Sequence, residues 1–584
     1  MKSSNSTRTI DLSPNALYIL KKRYLKHDGH GRVIESPSDM FRRVAATVAQ
    51  AERIYDRGAD TARWEDAFYG LMSRLEFLPN SPTLLNAGRL SGQLSSCFVL
   101  PVSESFRSID KSLEEAKLVQ VSGGGTGFNL SRLRSGAKGD KDGPVSFLAP
   151  LSTTTASVKQ GGIRQGCNIA ILDAHHPDIL DFVSAKNGSG ELSNFYLSVG
   201  VTSEFMEAVK TGKNYRLVDP ATGRTVDTHN ARDVFEHIVA QTWKTGDPGM
   251  LFLERIHASN PVPALGEIEG VSGCGEQMLL PYESCNLGSV NLVRMLKDGK
   301  KPEVDYMKLD EVVRLAVRFL NDVIDVNTYP LPQIAAATLR TRKIGLGVMG
   351  FADMLVRLGI PYDSEAALAL AEKVMGFINK QAHNASAALG KERGVFPSFK
   401  GSVYDRPGGP TMRNASCTTI APTGTISLIA GCSNGIEPLF ALVYMRRIME
   451  GKSLLEVNQD FIREAKERGF YSDELVSKLA QGIRLDDMEN IPSEMKRLFV
   501  TAPEIKADWH VRMQAAFQHN VDNAVSKTVN LPHSATAQDV AAIYMQAYEL
   551  GLKGITIYRD GSRRRQPLAM RIDPGLVVKY LKEC

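Results

Sequence analysis

The chain has 584 residues, a net charge of +5, 43% hydrophobic residues and 23% charged residues. This composition excludes a disordered or fibrous chain, and so small a charge on so long a chain argues against a nucleic-acid binder or a membrane-surface protein. Seven cysteines are too few for a disulfide scaffold. No apolar run follows the opening Met1–Arg8, so no secretory leader is expected and a reducing, cytoplasmic setting is. The longest uncharged stretch, 414–436, is rich in Ser, Thr, Gly and Pro and is a poor candidate for crossing a membrane.

In chain order, residues 1–75 read as helical. A short helix is predicted over Leu12–Tyr24, and Asp39–Arg57 places Phe41, Val44, Val48, Ala51 and either Ile54 or Tyr55 on one stripe of period 3.6. From Phe77 short apolar runs alternate with helical patterns. Cys97–Leu100, Asn168–Leu172, Cys417–Ile420 and Gly554–Tyr558 read as buried strands, whereas Leu309–Val326, Ser364–Leu389 and Ala535–Leu552 read as helices. Such alternation predicts an α/β fold. With no low-complexity divider, 76–565 is taken as one large domain, and 566–584, opened by a basic run and ending in Cys584, as a C-terminal tail.

Three motifs carry chemistry. The first is Ser272-Gly273-Cys274-Gly275-Glu276, with Cys285 downstream. If extended, it puts a hydroxyl, a thiol and a carboxylate on one face, with glycines that admit a substrate. A carboxylate raises a neighbouring thiol's pKa, so the pair suits a neutral S–H that gives up a hydrogen atom while the carboxylate takes a proton. The alternative is a glycine-rich turn with a buried cysteine. The second motif, Pro422-Thr423-Gly424-Thr425-Ile426, reads as a tight turn into a helix, either a phosphate cradle or plain capping by Thr425 or Ser427. The third, Gly123–Asn129, has loose glycine spacing without the setting of a dinucleotide fingerprint. His175-His176 reads as turn and cap residues, and no metal-site spacing occurs, so no protein-bound metal is expected.

Leu78–Gly88, Ser95–Pro101, Gly123–Asn129, Lys159–Arg164, the 274–292 block, Thr418–Ser427 and Tyr558–Arg563 together resemble the class II, adenosylcobalamin-dependent ribonucleotide reductases over nearly the whole chain. The resemblance implies a ten-stranded α/β barrel of two five-stranded halves with a central finger loop. It implies that Cys274 carries a thiyl radical, that Glu276 is the general base, and that Cys97 and Cys285 are the redox pair. Thr83, Ser96, Gly125 and the 422–426 turn (Pro422, Thr423, Gly424, Thr425, Ile426) would contact a ribonucleotide. Glu104, Ile109 and Arg134 would bind a deoxynucleoside triphosphate effector, whose identity Ile163, Arg164 and Gln165 would relay. A thioredoxin-like or other dithiol reductant and a homodimer are further expectations, with no membrane or nucleic-acid partner.

The sequence departs from that family in places. Ser272-Gly273 stands where Asn-Pro is usual, so Ser272 is expected to take over the Asn contact to the substrate hydroxyls. A C-terminal cysteine pair is not seen. A nucleotide-binding paralogue with altered or lost turnover is therefore the alternative. A class I large subunit would carry adjacent tyrosines where Arg559 follows Tyr558, and a glycyl-radical enzyme would carry a C-terminal glycine motif.

Overall fold

The structure is a computed structural model, describing residues 10–102, 106–136, 143–160, 164–187, 192–297, 299, 302–447, 452–563, 568–569 and 572–583. The amino-terminal helices are α1 (Pro14–Ile19), prolonged by a π-helical turn over Leu20–Tyr24, α2 (Pro37–Ala49), α3 (Glu52–Tyr55) and α4 (Thr61–Ser73). Ser36 and Asp39 form a reciprocal capping box that starts α2. The single stripe expected over Asp39–Arg57 is broken at Gln50–Ala51, where α2 gives way to α3. Met40, Phe41, Val44 and Val48 still point into the main core.

A ten-stranded sheet follows, built from β1 (Phe77–Pro79), β2 (Cys97–Val99), β3 (Gly125–Asn129), β4 (Asn168–Asp173), β5 (Phe195–Val201), β6 (Gly249–Phe252), β7 (Ser284–Asn291), β8 (Ile344–Met349), β9 (Thr528–Leu531) and β10 (Gly554–Arg559). Strands β2 to β6 run parallel in sequence order. On the other side β7 pairs parallel with β8, and β9 with β10. The segment expected as a strand at Cys417–Ile420 makes no ladder. It contributes two parallel bridges, Leu346↔Thr418 and Ile420↔Val525, that carry the sheet from β8 to the line of β9. The two parallel halves meet antiparallel at β2/β7 and at β6/β10, which closes the barrel. The expected halves and the mixed α/β class are therefore present.

Helices pack outside, among them α5 (Phe106–Val121), α6 (Tyr306–Val326), α7 (Glu365–Arg393) and α8 (Ile426–Ala430). Buried ion pairs tie α3 to the barrel helices: Glu52 meets Arg318 of α6 and Arg393 of α7, each at 2.6 Å, and Arg393 also meets Asp322. Beyond residue 565, Leu568–Ala569 pairs with Val443–Arg447, and Pro574–Glu583 is helical. Among the described residues no helix is long and apolar enough to cross a membrane.

Candidate active site

The connection between the two halves enters the barrel as a hairpin, Gly270–Val271 against Met278–Leu279. It passes so close to β3 that a Cβ on Gly127 would lie 1.9 Å from the Val271 carbonyl oxygen, which only a glycine allows. Its far arm is gripped from the second half of the barrel. The Thr419 hydroxyl and the Ala524 amide both donate to the Glu276 carbonyl, at 2.7 and 3.0 Å.

At its tip the expectation of an extended 272–276 segment fails. Gly275 donates to the Ser272 carbonyl at 2.8 Å and takes a φ of +79°, so the segment is a tight turn. Ser272, Cys274 and Glu276 therefore do not share one face. Ser272 and Glu276 turn inward together, where the Ser272 hydroxyl donates to Glu276 Oε2 at 2.8 Å and accepts from the Gln277 amide. Ser272 is completely buried and occupied with Glu276, while Cys274 is exposed at the tip. Tyr196 on β5 lies within electrostatic reach of Cys167 and of Cys274, which push its phenol up, Cys167 foremost.

Cys97 and Cys285 face each other across the antiparallel β2/β7 junction. Residues directly opposite on such strands have Cα atoms about 4.5–5.5 Å apart, within the span a disulfide bridges. Cys97 Sγ donates to Glu276 Oε1 at 3.4 Å. Burial, then the Glu276 charge, pushes the Cys97 thiol far up, and burial does the same to Cys285. Burial also raises Glu276, against the hydrogen bonds it accepts. The charge acting on Cys97 is that of the Glu276 carboxyl, so the site holds neutral thiols beside a carboxyl and is unsuited to ionic thiolate attack on a substrate.

Ser96, Thr83 and Gly125 line the same strand end. Ser96 Oγ lies 3.6 Å from Cys97 Sγ and accepts from Asn80 Nδ2, while Thr83 donates to Asn80 Oδ1 at 2.6 Å. Asn80 is thus the link from Thr83 to the cysteine, and residue-by-residue reading missed it although it caps the helix Ser81–Asn86. Gly125 pairs with Cys97 in register, and its missing side chain would meet only ordinary contacts.

The 422–426 turn opens helix α8. Thr423 adopts φ +53° and accepts the Gly435 amide, and Thr425 makes no side-chain cap, so the capping alternative is not what forms. Instead Arg23 Nη1 reaches the Thr425 hydroxyl and Arg446 Nη1 reaches the Gly424 carbonyl. The Nε atoms of both arginines are buried without a partner, a cationic cradle short of acceptors. A cavity of about 630 Å³ runs from Arg446 past Phe440, Tyr444 and Tyr558 to Tyr196.

Other expected positions are not drawn into this site. Arg134 is exposed in the turn after β3. Glu104 and Ile163 lie outside the described residues, as do the side chains of Ile109, Arg164 and Gln165. The backbone of Arg164 and Gln165 pairs with Lys159–Gln160. His175 and His176 bond the Arg216 and Leu133 carbonyls, as turn residues do. One cluster the sequence did not signal is His383, Cys417 and Asp522, whose donor atoms lie within 4.8 Å of one another. Its carboxylate is engaged by His383 at 2.8 Å and by the amides of Cys417 and Thr418, the arrangement of an ion pair.

Residues 95–558 match the ribonucleotide reductase barrel domain, and residues 10–92 match the ribonucleotide reductase all-alpha domain. The chain belongs to the ribonucleotide reductase family. It is 50% identical over 577 residues to a vitamin B12-dependent ribonucleoside-diphosphate reductase of Mycobacterium tuberculosis (strain CDC 1551 / Oshkosh), covering 98% of this chain and 82% of that one. A protein of the same description from Thermoplasma acidophilum is 45% identical over 620 residues, covering 96% and 80%. Among solved structures, an Actinobacillus ureae class Id ribonucleotide reductase alpha subunit shares the fold, with a TM-score of 0.77 at 24% identity over 94% of this chain and 97% of that one.

Proposed function

We propose that the chain is a class II enzyme that reduces ribonucleoside diphosphates to 2′-deoxyribonucleotides through a cysteine radical, with adenosylcobalamin as its cofactor. The observation that carries this reading is the convergence of Glu276 on Cys97, opposite Cys285, beneath a finger whose tip bears Cys274. Its support also comes from the B12-dependent relatives.

The cavity suits the cofactor's nucleoside end. It offers aromatic faces at Tyr196, Phe440 and Tyr558, and the buried Tyr558 Oη has no partner of its own. When bound, adenosylcobalamin supplies homolytic chemistry, taking one hydrogen atom from a thiol. Cys274 gives that atom from the tip of the finger. Its sulfur then takes the ribose 3′-hydrogen, because S–H and activated C–H bonds are close in strength. Glu276 takes the 3′-hydroxyl proton, and its raised affinity for protons matches that role. The 2′-hydroxyl leaves as water with a proton from one thiol of the Cys97 and Cys285 pair, and the other thiol's hydrogen goes to C2′. The pair supplies two electrons and becomes a disulfide, Cys274 returns its hydrogen to C3′, and Glu276 gives its proton back to the 3′-oxygen. The diphosphate lies on the 422–426 turn between Arg23 and Arg446.

A deoxynucleoside triphosphate effector near Glu104, Ile109 and Arg134, a relay through residues 163–165, a thioredoxin-like dithiol reductant, a homodimer and a cytoplasmic setting complete the proposal. The test is deoxynucleotide formation from a ribonucleoside diphosphate and a dithiol, with and without adenosylcobalamin. Product is expected only with the cofactor and with no other protein. Product that appears only on adding an iron or manganese protein overturns it.

A further inference from the structure

The two thiols of the redox pair are not equivalent. Cys97 keeps slight exposure, 4%, and faces the carboxyl of Glu276, whereas Cys285 is completely buried. Behind Cys285 lies a buried ion pair that the reaction above does not use. Lys343 Nζ meets Glu283 Oε2 at 2.6 Å, and both side chains are 1% exposed. Glu283 is held by the Thr341 hydroxyl and the Leu280 amide. Asn286 pairs with Ile344 in the parallel β7/β8 ladder, so Cys285 and Lys343 are the preceding pair on adjacent chains, and Cys285 Sγ reaches the Lys343 carbonyl at 3.6 Å. Glu283 stands two residues before Cys285, on the same side of an extended chain.

Burying an ammonium and a carboxylate together is costly, and an apolar pair of similar volume would commonly serve stability as well. The position of this pair gives it a further use. We propose that Lys343 is a positioning residue for re-reduction of the Cys97–Cys285 disulfide: its ammonium favours charge on Cys285, so an incoming dithiol attacks Cys97 and Cys285 is the sulfur that leaves. This rests on the reading of Cys97 and Cys285 as the redox pair.

The exchange balances. A reductant thiolate forms a bond to Cys97 Sγ, the Cys97–Cys285 bond breaks, and its electron pair stays on Cys285 beside Lys343. The second reductant thiol then attacks the mixed disulfide at the reductant's own sulfur. Cys97 departs with the electron pair and takes a proton from the Glu276 carboxyl, 3.4 Å away. The dithiol ends as a disulfide, and Cys285 takes the remaining proton. Burial holds the Cys285 thiol well above its usual range; against it Lys343 lowers the pKa, while Glu283 and Glu276 raise it further, so Lys343 is the charge that eases departure of this sulfur.

The test uses the whole chain and needs neither nucleotide nor cofactor. The protein is oxidised, exposed to excess 2-mercaptoethanol, alkylated and mapped by mass spectrometry. Mercaptoethanol is expected on Cys97 and the alkyl group on Cys285. Reduction of the disulfide by dithiothreitol is then timed. Lys343→Met leaves Glu283 buried and unpaired, so the Lys343→Met/Glu283→Gln double variant is compared with Glu283→Gln alone, which keeps the ammonium. The double variant is expected to be reduced roughly tenfold more slowly than Glu283→Gln, with the Lys343→Arg variant within about threefold of the wild type. Mercaptoethanol on Cys285, or an unchanged rate in the double variant, overturns the assignment while leaving the redox pair intact. If oxidation yields no Cys97–Cys285 disulfide, the reading of the pair falls and takes this inference with it.

Discussion

The β2/β7 junction and the finger turn place their cysteines by opposite means. At the junction Cys97 and Cys285 sit in paired strands, buried, with neighbours on both sides fixed by ladder hydrogen bonds. At the finger Cys274 rides on a turn that depends on Gly275 at φ +79°, and it is exposed. A thiol pair that closes and opens a disulfide needs a constant Cα separation, which strands supply. On the proposed function the finger's thiol has to meet both a cofactor and a ribose, which needs access, and a turn supplies it. Glu276 belongs to both regions: its backbone is clamped from the second half of the barrel, and its carboxyl spans Ser272 and Cys97.

The largest expected effect separates the two kinds of cysteine. Cys274→Ser should abolish deoxynucleotide formation, the first turnover included, because an O–H bond is too strong to be broken and reformed in this cycle. Cys97→Ser and Cys285→Ser should still form the radical and lose multiple turnover. Deoxynucleotide formation by Cys274→Ser would end the radical assignment of the finger.

Next comes the group shared by the regions. Glu276→Gln should lower turnover by about 10²–10⁴-fold, the usual worth of a positioned acid–base group. In the proposed reaction the reacting form is the carboxylate, and burial raises its pKa. Turnover should therefore rise with pH through that raised value, and the acid limb should vanish in Glu276→Gln. A pH–rate profile of both proteins checks this.

Ser272 sharpens the comparison at smaller scale. Because its hydroxyl is bonded to Glu276, Ser272→Ala should cost on the order of 1–3 kcal/mol, read as a five- to 150-fold fall in kcat. A Cβ at Gly273 would meet only Cys167, at 3.6 Å and beyond, so Ser272→Asn with Gly273→Pro is compatible with the space at Gly273. Turnover of that double variant above wild type would show that Ser272 limits the natural rate.

The smallest effect concerns the support behind the finger. Asp522 accepts the Cys417 and Thr418 amides and pairs with His383, two residues before the Ala524 that grips the finger. The Asp522 charge raises His383 against desolvation, so its folded pKa exceeds its unfolded one. That contribution is full below the unfolded pKa and is lost as pH rises through the folded one. His383→Asn should cost about 1 kcal/mol at pH 6 and less at pH 9, measured by denaturant midpoints.

The sequence by itself determined the elements whose residues carry a local period or a closed apolar run. Leu309–Val326 lies within the helix Tyr306–Val326, and Asn168–Leu172 and Gly554–Tyr558 each stop one residue short of their strands. It also determined the alternation of strand and helix, and the motif set that marks the family. Tertiary structure decided what no local pattern encodes. The run at Cys417–Ile420 is apolar enough for a strand, yet its neighbours allow only two bridges. The 272–276 segment alternates like a strand, yet it turns, because Gly275 can take a left-handed φ and the barrel grips the chain at Glu276. The two glycines were the available signal, and they fit the turn alternative. Lys343 and Glu283 are 60 residues apart in sequence, and Glu52 and Arg393 are 341 apart. Charges so separated read as solvated in a linear chain, and only close packing of distant segments turns them into buried pairs.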